Sequence, residues 1–449
     1  MKNIICLESE FISDVKEKHY QFICFGTGVL AKELMQHACV KESMVMFADN
    51  DSQKHGKNFA VNGKTYPVIS PACIPSYIFA DSAIIIASSH FKTIIEQLEE
   101  IIGLSDIPCY NYTLIRINAS ADSDEFFERR LVNEAVNEYS SILTERGIVD
   151  ESVKQKLLNE KAAFMRSRLP GGNHPVVIPR IMIMPSTKCN LRCKGCSSLF
   201  PYFTKPSDIS IEQLKSDLSV FFGAIDECVR LTIGGEPFLY PHLSELLQFL
   251  FEIQNLYGIM MFTNSTIMPK EELLPLLQNE KIFFHISDYG HIEKMSRLAA
   301  LFESKGIAFD VLSGQDWTDM GGTELRNKDA KTLRYQYLNC DQGRLIKAIF
   351  DGNVYICARS ARMHALGVYS CENDRITLGA SDSKEEIRAK LQKLYYAESA
   401  DACAYCDLGS FPSKIIPAGV QMNGNFKQSE WTLVRRSEYN RLKKSEELQ

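Results

Sequence analysis

A chain of 449 residues, 45% hydrophobic and 24% charged, has apolar material for two or three domains at roughly 150 residues each. It carries 50 Lys and Arg against 56 Asp and Glu, a net charge of −6, with no long basic run, which excludes a protein dedicated to non-specific nucleic-acid binding. No apolar run approaches the ~18 residues of a membrane span and none ahead of Glu8 is long enough for a signal-peptide core, so a soluble cytoplasmic protein is expected.

Residues 1–115 alternate strand and helix. Tyr20 to Phe25, Met44 to Ala48 and Ala83 to Ala87 read as strands, and Ile94, Ile95, Leu98, Ile101 and Ile102 line one helical face. This is a doubly wound, Rossmann-like pattern. Gly26-x-Gly28-x2-Ala31 follows the first strand and Asp49 ends the second, as in a dinucleotide fingerprint. Gly26 would permit the turn, Gly28 the approach of a phosphate and Ala31 the helix packing, with Asp49 at the acidic position of the fingerprint. Residues 116–177 form a polar helical connector broken at Pro170-Gly171-Gly172-Asn173. From 178 to 335 a second alternation begins. Arg180 to Met184, Val229 to Ile233, Ile259 to Thr263, Ile282 to Ser287 and Ile307 to Val311 are predicted strands, with apolar helical stripes between them. The pattern is that of all or part of a parallel β/α barrel. Residues 336–449 hold a predicted hairpin near Ile346 to Ile356, more cysteines and a charged tail.

Fourteen cysteines in a reducing compartment point to metal binding, catalysis or burial rather than disulfides. Cys189, Cys193 and Cys196 stand at Cys-x3-Cys-x2-Cys spacing in the loop after a strand. Three thiolates can hold three irons of a [4Fe–4S] cube and leave the fourth open to a non-protein ligand. A zinc knuckle or buried thiols are the alternatives. Gly234-Gly235-Glu236-Pro237 closes the next strand, where glycines let a ligand approach the backbone and a glutamate can hold an ammonium group.

With these residues the chain resembles the radical S-adenosylmethionine superfamily. The resemblance implies a partial (β/α)6 barrel and a cluster on Cys189, Cys193 and Cys196. S-adenosylmethionine would be chelated by the open iron, with its amino group against Gly234, Gly235, Glu236 and Pro237. It also implies reductive cleavage to a 5′-deoxyadenosyl radical, with flavodoxin or ferredoxin as electron donor. Asn264 and Ser287, at two later strand ends, would touch the cofactor; as strand-end residues they could equally cap helices. Two departures stand out: Gly195 replaces the family's frequent aromatic before the third cysteine, and Ser287-Asp288-Tyr289-Gly290 displaces the Asp of its Ser-x-Asp-Gly.

Cys340-x11-Gly352-x4-Cys357, with Cys403-x2-Cys406, supplies four thiolates for a closed cluster or a structural zinc. The arrangement resembles SPASM and Twitch domains, and implies a second [4Fe–4S] cluster. Cys371 is a fifth candidate: a ligand, a hydrogen donor to a substrate radical, or a buried side chain. Tyr289 is a second candidate donor. Cys6, Cys24, Cys39, Cys73, Cys109 and Cys228 have no metal spacing and are expected to be buried. The segment around Asp49 is similar to the nucleotide-sugar-binding domain of bacterial sugar acyltransferases, though a domain kept only for assembly would look the same. The leading expectation is therefore a radical enzyme that epimerises, oxidises or deoxygenates an activated sugar, with a small-molecule partner and neither nucleic acid nor membrane. A peptide maturase and a non-enzymatic zinc or iron–sulfur scaffold are the competing classes.

Overall fold

The apolar runs of the first hundred residues assemble into one seven-stranded sheet. The computed structural model describes residues 4–5, 8–103, 107–118, 124–148, 150–167, 176–314, 316–379, 381–395, 397–409 and 414–422. Cys6, the Pro170 to Asn173 break and the charged tail lie outside the described residues. The strands are β1 (Ile4–Ile5), β2 (Gln21–Phe25), β3 (Met44–Ala48), β4 (Asn58–Val61), β5 (Lys64–Ile69), β6 (Ser82–Ile86) and β7 (Cys109–Asn111). Their order is β1-β7-β6-β2-β3-β5-β4, parallel except for the β4–β5 hairpin. β6 is buried along its whole length: Ile84 and Ile86 pack with Ile94, Ile95 and Leu98, while Ala83 and Ile85 pack with Phe11 and Leu34. A strand covered on both faces belongs to a doubly wound sheet, as expected. Gly26 leaves β2 at φ +112°, and a Cβ there would sit 2.6 Å from the Ala87 carbonyl oxygen, so only glycine fits.

The second sheet contains β8 (Val177–Ile183), β9 (Glu227–Ile233), β10 (Leu256–Thr263), β11 (Ile282–Ser287) and β12 (Phe309–Leu312), each parallel to the next. The helix Ile211–Ala224 between β8 and β9 begins on Ser210, whose Oγ accepts from Gln213 N at 3.1 Å. It buries Leu214, Leu218, Phe221 and Phe222 on the outer face of the sheet, and Leu243, Leu246, Leu247 and Leu250 of the next helix continue that layer. β13 (Asp316–Thr318) lies outside this sheet. The expected C-terminal hairpin forms as β14 (Ile346–Phe350) and β15 (Asn353–Tyr355), but not as a separate sheet. β14 pairs in parallel with β8, through Ile346 to Ile349 against Arg180 to Ile183, and β16 (Arg375–Thr377) extends it. Five parallel strands from one stretch of chain are thus completed by a sixth from beyond residue 336. The sheet order runs from β12 to β16, and among the described residues these two edges are not paired with each other, so no closed barrel is formed by them. Finally β17 (Ile415–Pro417) pairs antiparallel with β13 and leads back toward the cysteine loop.

The connector contains the helices Asp124–Glu145 and Glu151–Ser167. Val132, Ala135 and Ile142 of the first pack on Val177 and Val229. Gly258 makes room: a Cβ there would lie 2.8 Å from Ile142 Cδ1. Arg230, 1% exposed, donates two parallel bonds to Glu145 at 2.8 and 2.9 Å and a third to Glu138. Arg180 donates to both oxygens of Glu138. Removing one partner of such a buried set leaves charge uncompensated, at a cost of about 3–5 kcal/mol. Glu138→Ala, which strips both arginines of a shared carboxylate, is expected to lower the denaturation midpoint accordingly. A denaturant titration within error of wild type would show that the network carries no stability.

Candidate active site

The cysteine loop leaves the C-terminal end of β8. Its base is tied down by Asp208, which accepts from Ser186 Oγ at 2.6 Å and pairs with Lys188 at 2.5 Å. Gly195, at φ +68°, makes the turn between Cys193 and Cys196. Burial pushes the Cys189 thiol up to about 12, with Cys196, Glu236 and Cys193 raising it further. Burial likewise pushes Cys193 up to about 11. Such thiols give up their protons to a cation that compensates the thiolate, and iron is one. Hydrogen-bond donors are already in place: Gln421 Nε2 lies 3.1 Å from Cys193 Sγ and Asn264 Nδ2 lies 3.9 Å from Cys189 Sγ.

At the end of β9, Gly234 and Gly235 are held by space as well as conformation. A Cβ on Gly234 would meet Arg362 Nη2 at 3.1 Å and Ile183 O at 3.2 Å. Gly235 sits at φ +94°, and its Cβ would touch the Phe200 ring at 3.3 Å. Glu236 is 3% exposed; its carboxylate accepts from Asn264 N at 2.9 Å and from Thr263 Oγ1 at 3.1 Å. Burial pushes it up to about 7, against the lowering effect of those donors. Pro237 opens the short turn that follows. Asn264 and Ser287, at the ends of β10 and β11, are both buried in the same wall. Tyr289 stands edge-on to Trp317 at 5.4 Å, and burial pushes its phenol up to about 12.

The four C-terminal cysteines also come together. Cys340 and Cys357 cap the helices Asp341–Leu345 and Ala358–Ala365, and their sulfurs accept from Gly343 N at 3.3 Å and Ser360 N at 3.4 Å. Cys406 Sγ accepts from Leu408 N at 3.4 Å. Burial raises Cys403 well above an ordinary thiol, and Cys340, Cys406 and Cys357 add to the shift. Among the described residues no three His, Cys, Asp or Glu groups converge on one point where a single ion could sit. A cube asks for something else, one thiolate per iron, and backbone N–H groups aimed at the sulfurs suit it.

All seven cysteines line a single cavity of about 350 Å³. Gly234, Gly235, Glu236, Asn264, Ser287 and Tyr289 share its wall. Cys371 does not: it is fully buried among Met184, Phe350, Tyr355 and Ala361, in the left-handed conformation at φ 52°. Cys24, Cys109 and Cys228 are buried as expected, whereas Cys73 is exposed and Cys39 half-buried.

At the N-terminal motif, Asp49 already accepts from Thr27 N at 3.2 Å, from Thr27 Oγ1, from Asp51 N at 2.9 Å and from Lys54 at 3.0 Å. A ribose hydroxyl would have to displace one of these. Gly28 caps the helix Val29–Leu34, and nothing lies within 4 Å of a Cβ placed on it, so the space beside it is open.

Several residues that serve the cavity escaped the sequence reading. Lys328 Nζ donates to the Cys406 carbonyl at 2.6 Å and Gln336 Nε2 to the same carbonyl at 2.6 Å, fixing the Cys403–Cys406 hook. Gln421 arrives from 228 residues away. Arg359 and Arg362 project from the helix that follows Cys357, and the only sequence signal was two arginines three apart beside a predicted ligand.

No family model matches the chain. In sequence it is similar to a GTP 3′,8-cyclase from Aquifex aeolicus, 30% identical over 144 residues that make up 31% of this chain. The chain spans 44% of the length of that curated relative. In structure it is similar to anSMEcpe with bound AdoMet and Cp18Cys peptide, at 15% identity, a TM-score of 0.34, and coverage of 52% of this chain and 83% of the other. BtrN in complex with AdoMet and 2-DOIA gives 15% identity and a TM-score of 0.32 over 55% and 98%. Streptococcus suis SuiB gives 18% identity and 0.26 over 34% and 38%. No described helix is long and apolar enough to cross a membrane.

Proposed function

We propose that the chain is a radical S-adenosylmethionine enzyme with a SPASM-like auxiliary domain, and that it oxidises a carbinol of a small activated substrate, a nucleotide-linked sugar. One observation carries this reading: Cys189, Cys193 and Cys196 face the same cavity as Cys340, Cys357, Cys403 and Cys406, with Glu236 in the wall between strand ends. With [4Fe–4S] clusters and S-adenosylmethionine bound, the first set would hold the source of a 5′-deoxyadenosyl radical and the second a one-electron acceptor; a carbinol that gave a hydrogen atom to the former, an electron to the latter and its hydroxyl proton to water would become a ketone. Glu236 offers a buried carboxylate to the cofactor ammonium. Asn264 and Ser287 offer polar contacts at neighbouring strand ends. Met182, Phe200, Leu312 and Trp317 supply apolar walls that keep water from a reactive radical.

The position of Cys371 favours oxidation over epimerisation. Its thiol is packed in apolar core and is not part of the cavity wall, so Tyr289 is the remaining candidate to return a hydrogen atom to the substrate. The test is to incubate the reconstituted, reduced protein with a nucleotide-sugar panel and follow 5′-deoxyadenosine and a carbonyl product by chromatography. Oxidation gives both in equal amount. An epimer without a ketone assigns the hydrogen-returning role to Tyr289, and a modified peptide substrate would overturn the sugar reading. Thermal-shift binding of the same panel to wild type and Gly28→Trp examines the N-terminal domain. Stabilisation of the wild type is expected to be lost in the variant, because the open space at Gly28 is then filled. Equal stabilisation of both would detach residues 1–115 from nucleotide binding.

A further inference from the structure

Between the two cysteine sets, the cavity wall contains two arginines that are almost completely enclosed. Arg359 is 5% exposed and Arg362 is 4% exposed. Both come from the helix Ala358–Ala365, three residues apart, and therefore share one face. Their hydrogen-bond partners are neutral, and the groups that favour the charge on Arg362 are the Cys196 and Cys357 thiols when ionised. Arg359 Nη2 donates to the Gly321 and Gly322 carbonyls at 2.6 Å and to Tyr405 O at 3.3 Å. Arg362 Nη2 reaches the Met182 thioether at 3.4 Å. Among the described residues, Arg359 Nε and Nη1 and Arg362 Nε are buried without a hydrogen-bond partner, and so is Thr232 Oγ1 in the same wall. The nearby carboxylates are engaged elsewhere: Glu236 by Thr263 and Asn264, and Asp374 by Tyr369, Asp401 N and Ala402 N.

Buried guanidinium N–H groups without an acceptor are costly, and a fork of N–H donors matches the oxygens of phosphate or carboxylate. We propose that the substrate carries an anionic oxygen group, a phosphate or a carboxylate, that docks on Arg359 and Arg362 between the two cysteine sets. This rests on the cavity being a radical active site, and it deepens that reading by naming what the substrate must present. Arg362 lies over Gly234 at the mouth of the parallel strands, and Arg359 lies toward the Cys403–Cys406 hook. An anion held across them would anchor the substrate in the space between radical source and electron acceptor.

The test uses the full chain, reconstituted anaerobically and saturated with S-adenosylmethionine so that the cofactor carboxylate is already placed. Inorganic phosphate and succinate are titrated separately, and binding is followed by thermal shift for wild type, Arg359→Gln and Arg362→Gln, with iron per chain measured on each sample. Wild type is expected to bind at least one probe, and each variant to bind it at least about tenfold more weakly with iron content unchanged. The preferred probe separates a phosphorylated from a carboxylated substrate. Three results would overturn the proposal. They are no binding of either probe by wild type, equal binding by the variants, and iron lost from the variants, which would assign the arginines to the clusters. Binding seen only without S-adenosylmethionine would assign them to the cofactor and overturn it too. Release of 5′-deoxyadenosine by wild type, measured without any probe, keeps the outcomes apart. Its absence sinks the radical reading, while its presence with no anion binding sinks only this inference.

Discussion

Cys193→Ala is expected to abolish 5′-deoxyadenosine formation and to reduce iron from about eight to about four per chain, by the arithmetic of three thiolates for one cluster and four for the other. Cys193 is 6% exposed, and its sulfur is the one that takes the Gln421 amide. Cys189 and Cys196 alone leave two irons of a cube without protein ligands, so the loop cannot hold the cluster that binds the cofactor. The C-terminal four thiolates are untouched and keep their iron. Gln421→Leu tests the neighbour rather than the ligand. It removes an N–H donor from the sulfur and is expected to lower activity by about 10- to 100-fold, the range for outer-shell partners of metal ligands. Anaerobic iron analysis and chromatography of the cleavage products check both. Equal cleavage by wild type and Cys193→Ala would end the assignment of the first cluster.

Glu236→Gln is expected to move two quantities in opposite directions. Cofactor affinity should fall on the order of 100-fold, because a buried carboxylate facing an ammonium contributes a few kcal/mol. The cofactor-free protein should become more stable above neutral pH. Burial raises the Glu236 carboxyl to about 7 from the ordinary 4.5. The unfolded chain therefore gives up this proton first, and the folded state loses ground as pH rises through that window. The loss reaches about 3 kcal/mol above pH 7 and vanishes below the ordinary value. Glutamine has no proton to give up. Melting temperatures of the cofactor-free proteins at pH 5 and pH 8 should show a steeper fall for wild type than for the variant. Unchanged cofactor affinity would show that Glu236 is not the ammonium acceptor, and parallel pH profiles would show that burial does not raise its carboxyl.

The parts of this molecule that sequence revealed are those written in local pattern. Leu214, Leu218, Phe221 and Phe222 repeat at helical spacing and form the buried face of a helix packed on the second sheet. Cys189, Cys193 and Cys196 lie within eight residues, and Gly234 to Glu236 end the next strand, so their meeting needs only two adjacent strands. What stayed hidden depends on distant pairings. β14 joins β8 across 166 residues, as Ile346 against Arg180 shows, and neither segment signals its partner. Cys371 had the chemistry of a hydrogen donor but a left-handed turn places it in core instead. Nothing in the sequence aims Arg359 and Arg362 at a site, since two charges at helical spacing are usually solvated. Only the packing of that helix against β14 and the cysteine hook turns them inward.

The return of Gln421 to the cysteine loop also sets an order of assembly. Cys193 and Gln421 are separated by 228 residues, and backbone bonds from Lys194 N to Val420 O and from Met422 N to Arg192 O close the same contact. At ~5–20 residues per second of synthesis, the loop spends roughly 10 to 50 s without that cover. Iron and sulfide can be delivered to open thiols during this interval, and the strap that shields them is the last described piece of the chain to be made.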